Sequence, residues 1–148
     1  MVQRMLSTTR VLAAGLLVAC TVLTGCARSA DVPTADVVAQ LKDFEIDLSA
    51  SRVSSGHVVL GLRNTGPTVH ELVIAKTDLD SGDLPIGKDG LSVDEDDRRF
   101  RVLGEEEHVQ LTEEEVMDLV LQPGHYVVFC NLEGHYLGGM HEDLEVTR

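Results

Sequence analysis

The sequence predicts an all-β fold, a Greek-key antiparallel β-sandwich of seven or eight short strands. Three observations carry this reading. Apolar and polar residues alternate over short runs, the period of a half-buried strand. Clusters of Gly, Pro, Asn and Ser punctuate those runs. Aromatic residues make up only 3% of the chain and Trp is absent, so burial rests on Val, Leu and Ile, which suit a pleated surface. A hydrophobic content of 43% over 148 residues is enough for one buried core.

Residues 1–25 read as an address rather than as part of that fold. Arg4 and Arg10 give a positive start, and residues 11–23 form an apolar run. The run is too short to span a bilayer, which takes about twenty residues, so a signal peptide explains it. Leu23-Thr24-Gly25-Cys26 has the pattern of a bacterial lipobox, which would make Cys26 the lipidated first residue of the mature chain. Ordinary signal cleavage near Ala27 to Ala30 is the alternative. In the lipobox reading the chain is extracytoplasmic, lipid-anchored to the bacterial cell membrane on its periplasmic or outer face, with residues 26–43 holding the lipidated Cys26 and its tether. Cys20 then leaves with the signal peptide, and Cys130 remains as the one free thiol. Small secreted domains tend to pair their cysteines. A lone thiol outside the cytoplasm is open to oxidation unless something occupies it, and a metal would do so.

The folded domain is expected over 44–148. Just ahead of it, Val37, Val38 and Leu41 on one side suggest a short helix over 36–41. Phe44, Ile46 and Leu48 then alternate with polar residues as a strand, and after Ser54-Ser55-Gly56 the residues Val58, Leu60 and Leu62 share one face of the next. Asn64-Thr65-Gly66-Pro67 is a turn, followed by a strand over 69–75 that carries His70. From 77 to 97 the pattern lapses into Gly, Pro, Asp and Ser, too long for a tight connection. It reads as a surface excursion with a short helix near 94–99. Its Asp-rich start does not match a calcium loop, because the glycine is at the wrong position and position twelve is Asp89 rather than Glu. Val102-Leu103, 109–111 and the alternating Met117, Leu119 and Leu121 give further strands. Gln122-Pro123-Gly124 turns the chain into a strand with Tyr126, Val128 and Cys130 on one face and Val127 and Phe129 on the other. Leu144 and Val146 close the domain.

The chemistry gathers at the end of that strand. Cys130, His135 and Met140 follow one another at equal spacing on a glycine-punctuated loop, and His70 lies on an earlier strand. Two imidazoles, a thiolate and a weak axial thioether form the ligand set of an electron-transfer copper site. Copper alternates between a monovalent ion that prefers sulfur and a divalent ion that prefers nitrogen, and this set serves both without large movement. Each residue has a plainer role when taken alone: a core histidine, a buried small thiol, a gap-filling methionine. Together they outweigh those roles.

Cys130-x4-His135-x4-Met140, with His70 upstream, Asn64-Thr65-Gly66 before it and Pro123-Gly124-His125-Tyr126 leading into the ligand strand, resembles the cupredoxin family over roughly 44–148. The similarity is to its plastocyanin-like and sulfocyanin-like bacterial members, which are type 1 (blue) copper proteins. The resemblance implies that His70, Cys130 and His135 bind one copper ion in a plane with Met140 axial. It also implies that His135 is the electron port and that the protein shuttles single electrons rather than acting as an enzyme. The family often has Asn or Ser beside the first histidine, bonding across to the ligand loop. Here Glu71 stands there, either replacing that link or pointing to solvent, and Asn131, the usual kind of residue, follows the cysteine. Leu132 and Leu137 are expected to rim His135, and Tyr126 and Val128 to shield the thiolate. His57, His108 and His125 read as solvent-facing, and His141, beside Met140, as a non-ligand.

The formal charge of −13 argues against a nucleic-acid partner, which would need a basic face. Losing residues 1–25 removes Arg4 and Arg10 and no acid, so the mature charge is −15. A redox partner such as a c-type cytochrome or terminal oxidase would complement it if cationic; acidity serving solubility alone is the other reading. A copper metallochaperone or storage protein is the functional alternative. A multicopper oxidase fragment is disfavoured because His-x-His pairs are missing.

Overall fold

The structure, a computed structural model, describes residues 34–148. The expected signal peptide, Cys26 and most of the tether lie outside the described residues. Nine strands form two sheets: β1 (Val37–Lys42), β2 (Glu45–Leu48), β3 (Arg52–Ser54), β4 (Gly56–Asn64), β5 (His70–Thr77), β6 (Phe100–Val109), β7 (Glu114–Leu121), β8 (Gly124–Phe129) and β9 (His141–Thr147). One sheet runs β2-β1-β4-β7 and the other β3-β9-β8-β5-β6. The expected all-β sandwich is therefore present, with nine strands rather than seven or eight and with a second difference in strand direction. β1 pairs parallel with β4, and β3 with β9, so the sheets are mixed rather than wholly antiparallel.

The expected helix over 36–41 is instead strand β1. Its burial alternates, with Val37, Ala39 and Leu41 fully buried and Gln40 and Lys42 exposed. Six residues containing three valines and leucines fit either period, and the open edge of β4 decides for the strand. The sheet thus begins inside the stretch assigned to the tether. No helix forms near 94–99; the excursion holds one 3-10 turn, Ser81–Asp83, and a β-bridge between Ile86 and Val93. β3 was hidden because three residues are too short for a readable period.

The main core lies between the sheets. Leu41, Val58, Leu60, Leu62, Met117 and Leu121 face Leu72, Ile74, Tyr126, Val128, Leu144 and Val146. Cys130 and Met140 belong to this core. A smaller core covers the other face of the five-stranded sheet, where Val73, Ala75, Val127 and Phe129 meet Leu84, Val93, Phe100 and Tyr136. β5 and β8 are consequently buried on both faces, which is why they read as nearly continuous apolar runs. The 78–99 excursion is the lid of that second core. Tyr136 pins it, its hydroxyl accepting from Leu84 N at 2.9 Å and donating to Ser81 O at 2.8 Å. β6 is the sheet edge, and its Glu105-Glu106-Glu107 run, which reads as a break in the pattern, is a charged edge that discourages further pairing.

Candidate metal centre

His70 opens β5 and Cys130 follows the last residue of β8, and the pairing of β5 with β8 brings the two together. Alternation along β8 turns Cys130 inward with Tyr126 and Val128. Beyond it the chain folds back at once. Cys130 N donates to Met140 O at 3.0 Å and Met140 N to His135 O at 3.1 Å, so the loop closes on itself before β9 begins. His135 is returned over the thiol, its Nδ1 3.4 Å from Cys130 Sγ. One donor atom each from His70, Cys130 and His135 lies within 4.8 Å of the other two. Met140 is fully buried in the same core.

The imidazole of His70 lacks aligned partners: the residue is fully buried and neither ring nitrogen has a well-directed hydrogen bond. Leaving such groups unsatisfied costs about 1–3 kcal/mol apiece, so the site is built for something that supplies the missing bond. Burial lowers the tendency of His70 to protonate, and the neighbouring His135 adds to this, so its lone pair stays free. Burial also pushes the Cys130 thiol up. Against that, the backbone N–H of Glu71 points at Sγ from 3.4 Å, and that of Leu132 also favours the thiolate. A coordinating cation would remove the thiol proton outright. Imidazole, thiolate, imidazole and a nearby thioether fit copper, and the residues present therefore suit one type 1 copper ion.

A reduced auracyanin from the photosynthetic bacterium Roseiflexus castenholzii matches with a TM-score of 0.54 at 19% identity, covering 75% of this chain and 95% of that one. A rusticyanin variant matches with a TM-score of 0.53 at 16% identity, over 75% and 76% of the two chains. A further rusticyanin, described as a copper protein, gives 0.52 at 17% identity over 75% and 76%. This is the cupredoxin fold. No protein-family model and no curated protein sequence matches the chain.

Glu71 does not reach the loop with its side chain, which turns to Glu105 on β6 and Glu95 on the excursion; the link to Cys130 comes from its backbone N–H. Asn131 accepts from Val93 N at 2.6 Å, and its amide donates to Val93 O and Glu95, tying the loop to the excursion. Leu137 is exposed and Leu132 half-buried, leaving apolar surface by the loop. His57 and His108 are exposed. His125 departs from the solvent-facing expectation: its Nδ1 meets Thr77 O at 3.0 Å and its Nε2 meets Asp143 at 2.9 Å. His141 packs on Tyr136, ring centroids 5.0 Å apart.

Two neighbours of the site escaped the sequence reading. Asp43 Oδ1 lies 3.3 Å from His70 Nε2. Phe44 meets His135 edge-on, centroids 5.4 Å apart, and packs on Gly138, where an added Cβ would collide with its ring. Both sit in the β1–β2 turn, and Phe44 has φ 62°, unusual for a bulky residue. Such a residue in the left-handed region is a candidate for function, but φ is not readable from one sequence.

Proposed function

We propose that this chain is an extracytoplasmic blue copper protein that carries single electrons between redox partners. His70, Cys130, His135 and Met140 would hold the copper, the imidazoles and sulfurs supplying a one-electron site. The observation that carries the reading is the buried His70, both nitrogens without aligned partners, beside a buried thiol and a second imidazole. That the similarly folded rusticyanin is a copper protein is in keeping with it. A copper ion bound there would take up and release one electron between its divalent and monovalent states. The chain's own residues do the rest. Tyr126 and Val128 keep water from the sulfur side, and two strands of one sheet hold His70 and Cys130 so that little moves when the charge changes. His135, partly exposed, is the edge through which a partner reaches the site.

Copper-loaded protein is expected to be intensely blue, with a narrow copper hyperfine splitting in spin resonance, and to bleach reversibly on reduction. A colourless complex that binds only the monovalent ion and passes it quickly to an acceptor would establish the metallochaperone instead. The lipid anchor at Cys26 is part of the proposal, supported by the lipobox; mass measurement of the membrane-fraction protein tests it. Among the described residues no helix is long and apolar enough to cross a membrane. A cationic partner such as a c-type cytochrome suits the charge of −13. Electron exchange with it is expected to slow steeply with salt, whereas a flat dependence leaves the acidity to solubility.

A further inference from the structure

The turn between β1 and β2 carries more than a connection, because its Asp43 carboxylate faces the buried His70. Asp43 Oδ1 stands 3.3 Å from His70 Nε2, and the Asp43 side chain is 34% exposed. The carboxylate lies off the N–H axis, so the contact is electrostatic before it is a hydrogen bond. Three features hold it there. Thr68 Oγ1 donates to Asp43 Oδ1 at 2.7 Å. Asn64, fully buried, fixes the facing loop by donating to Thr68 O and Val109 O at 2.7 and 2.8 Å and accepting from Gly66 N at 2.9 Å. Gly66 leaves the space: a Cβ there would lie 3.0 Å from Asp43 Oδ1 and 3.1 Å from His70 Nε2. No side chain larger than hydrogen fits between carboxylate and imidazole without moving one of them.

We infer that Asp43 is a positioning and tuning residue for His70, holding the imidazole with Nε2 outward and Nδ1 toward the metal and lowering the reduction potential of the site. The inference rests on the copper reading above and deepens it. A carboxylate behind a ligating imidazole fixes which nitrogen carries the proton and makes the other a stronger donor. Its negative charge also favours the divalent over the monovalent ion, with solvent screening part of the effect because the group is partly exposed. Oxidised and reduced forms are thus stabilised unequally, and the potential reports that inequality.

The test compares Asp43→Asn, Gly66→Ala and Asp47→Asn with the unaltered protein, each loaded with copper and equilibrated against a redox dye. Asp43→Asn keeps the size and removes the charge. Gly66→Ala keeps the charge and crowds the gap, so that carboxylate or ring must give by a few tenths of an ångström. Asp47→Asn removes the same charge from an exposed position on β2. The first two variants are expected to stay blue, to lose divalent-copper affinity by about tenfold, and to shift the equilibrium at least about threefold toward the reduced form, which a purely structural role would not produce. Asp47→Asn is expected to match the unaltered protein. Thermal melts of the copper-free variants show that each folds, and if one of the two site variants does not, the other decides. An Asp43→Asn potential no different from that of Asp47→Asn overturns the inference and leaves the copper reading standing. A colourless unaltered protein overturns both.

Discussion

Two clusters of donor groups sit back to back across the sheet formed by β5, β6 and β8, and they resolve their electrostatics in opposite ways. On the inner side are His70, Cys130 and His135; on the outer side are Glu71, Glu95 and Glu105, with donor atoms equally close to one another. Strand alternation makes the first pair of neighbours, His70 and Glu71, point to opposite faces. The outer cluster relieves its crowded charge by holding protons. Burial first and Glu105 next push the Glu71 carboxyl up to about 8, so it keeps its proton at neutral pH, and burial raises Glu95 as well. The inner cluster has no such exit. A neutral imidazole gains nothing from a proton it cannot solvate, and its nitrogens stay without an aligned hydrogen bond, Asp43 standing off-axis. Proximity of donors is therefore common to both, and buried unsatisfied donors of mixed nitrogen and sulfur character distinguish the metal centre.

The largest effect expected from that contrast is at Cys130. Cys130→Ser should abolish the blue colour, because the charge-transfer band requires the thiolate; a variant that stays blue would place the sulfur elsewhere. Met140→Leu should keep the colour and raise the potential, since a weak axial donor is removed from a site whose planar ligands remain. Voltammetry of the two proteins side by side reads this directly.

The outer cluster should show itself through pH instead. A carboxyl whose folded pKa lies above its unfolded value holds its proton more tightly when folded. Stability of the copper-free protein should therefore fall as pH rises from the ordinary carboxyl range, near 4.5, through about 8, and level off above it. Glu71→Gln should flatten that slope, seen in denaturant midpoints at about pH 6 and about pH 9. Glu105→Gln should act least. It relieves one like-charge neighbour, moves the Glu71 transition to lower pH and leaves the spectrum unchanged; a loss of copper with this variant would break the separation between the clusters.

Much of the site was legible because it is local. Cys130, His135 and Met140 share one loop, and their spacing survives any rearrangement of the rest of the chain. His70 was legible by residue type and by its place at the start of an apolar run. Asp43 and Phe44 were not, since an aspartate and a phenylalanine near a strand start carry no mark of what they will face. Phe44 even reads as the first inward residue of β2, whereas a positive φ turns it onto the ligand loop. β1 was hidden for a related reason: a six-residue run of small apolar side chains suits helix and strand alike until a neighbouring edge selects one.

Sequence alone thus determined the all-β class, the alternation that turns Cys130 inward and the identity of the donor atoms, because period and residue chemistry are properties of short stretches. Tertiary structure decided which strands lie parallel, that the 78–99 excursion roofs a second core, and that a turn at 43–44 stands behind both histidines. Those depend on contacts between segments far apart along the chain, where packing and the satisfaction of buried polar groups select among arrangements that local preference leaves equal.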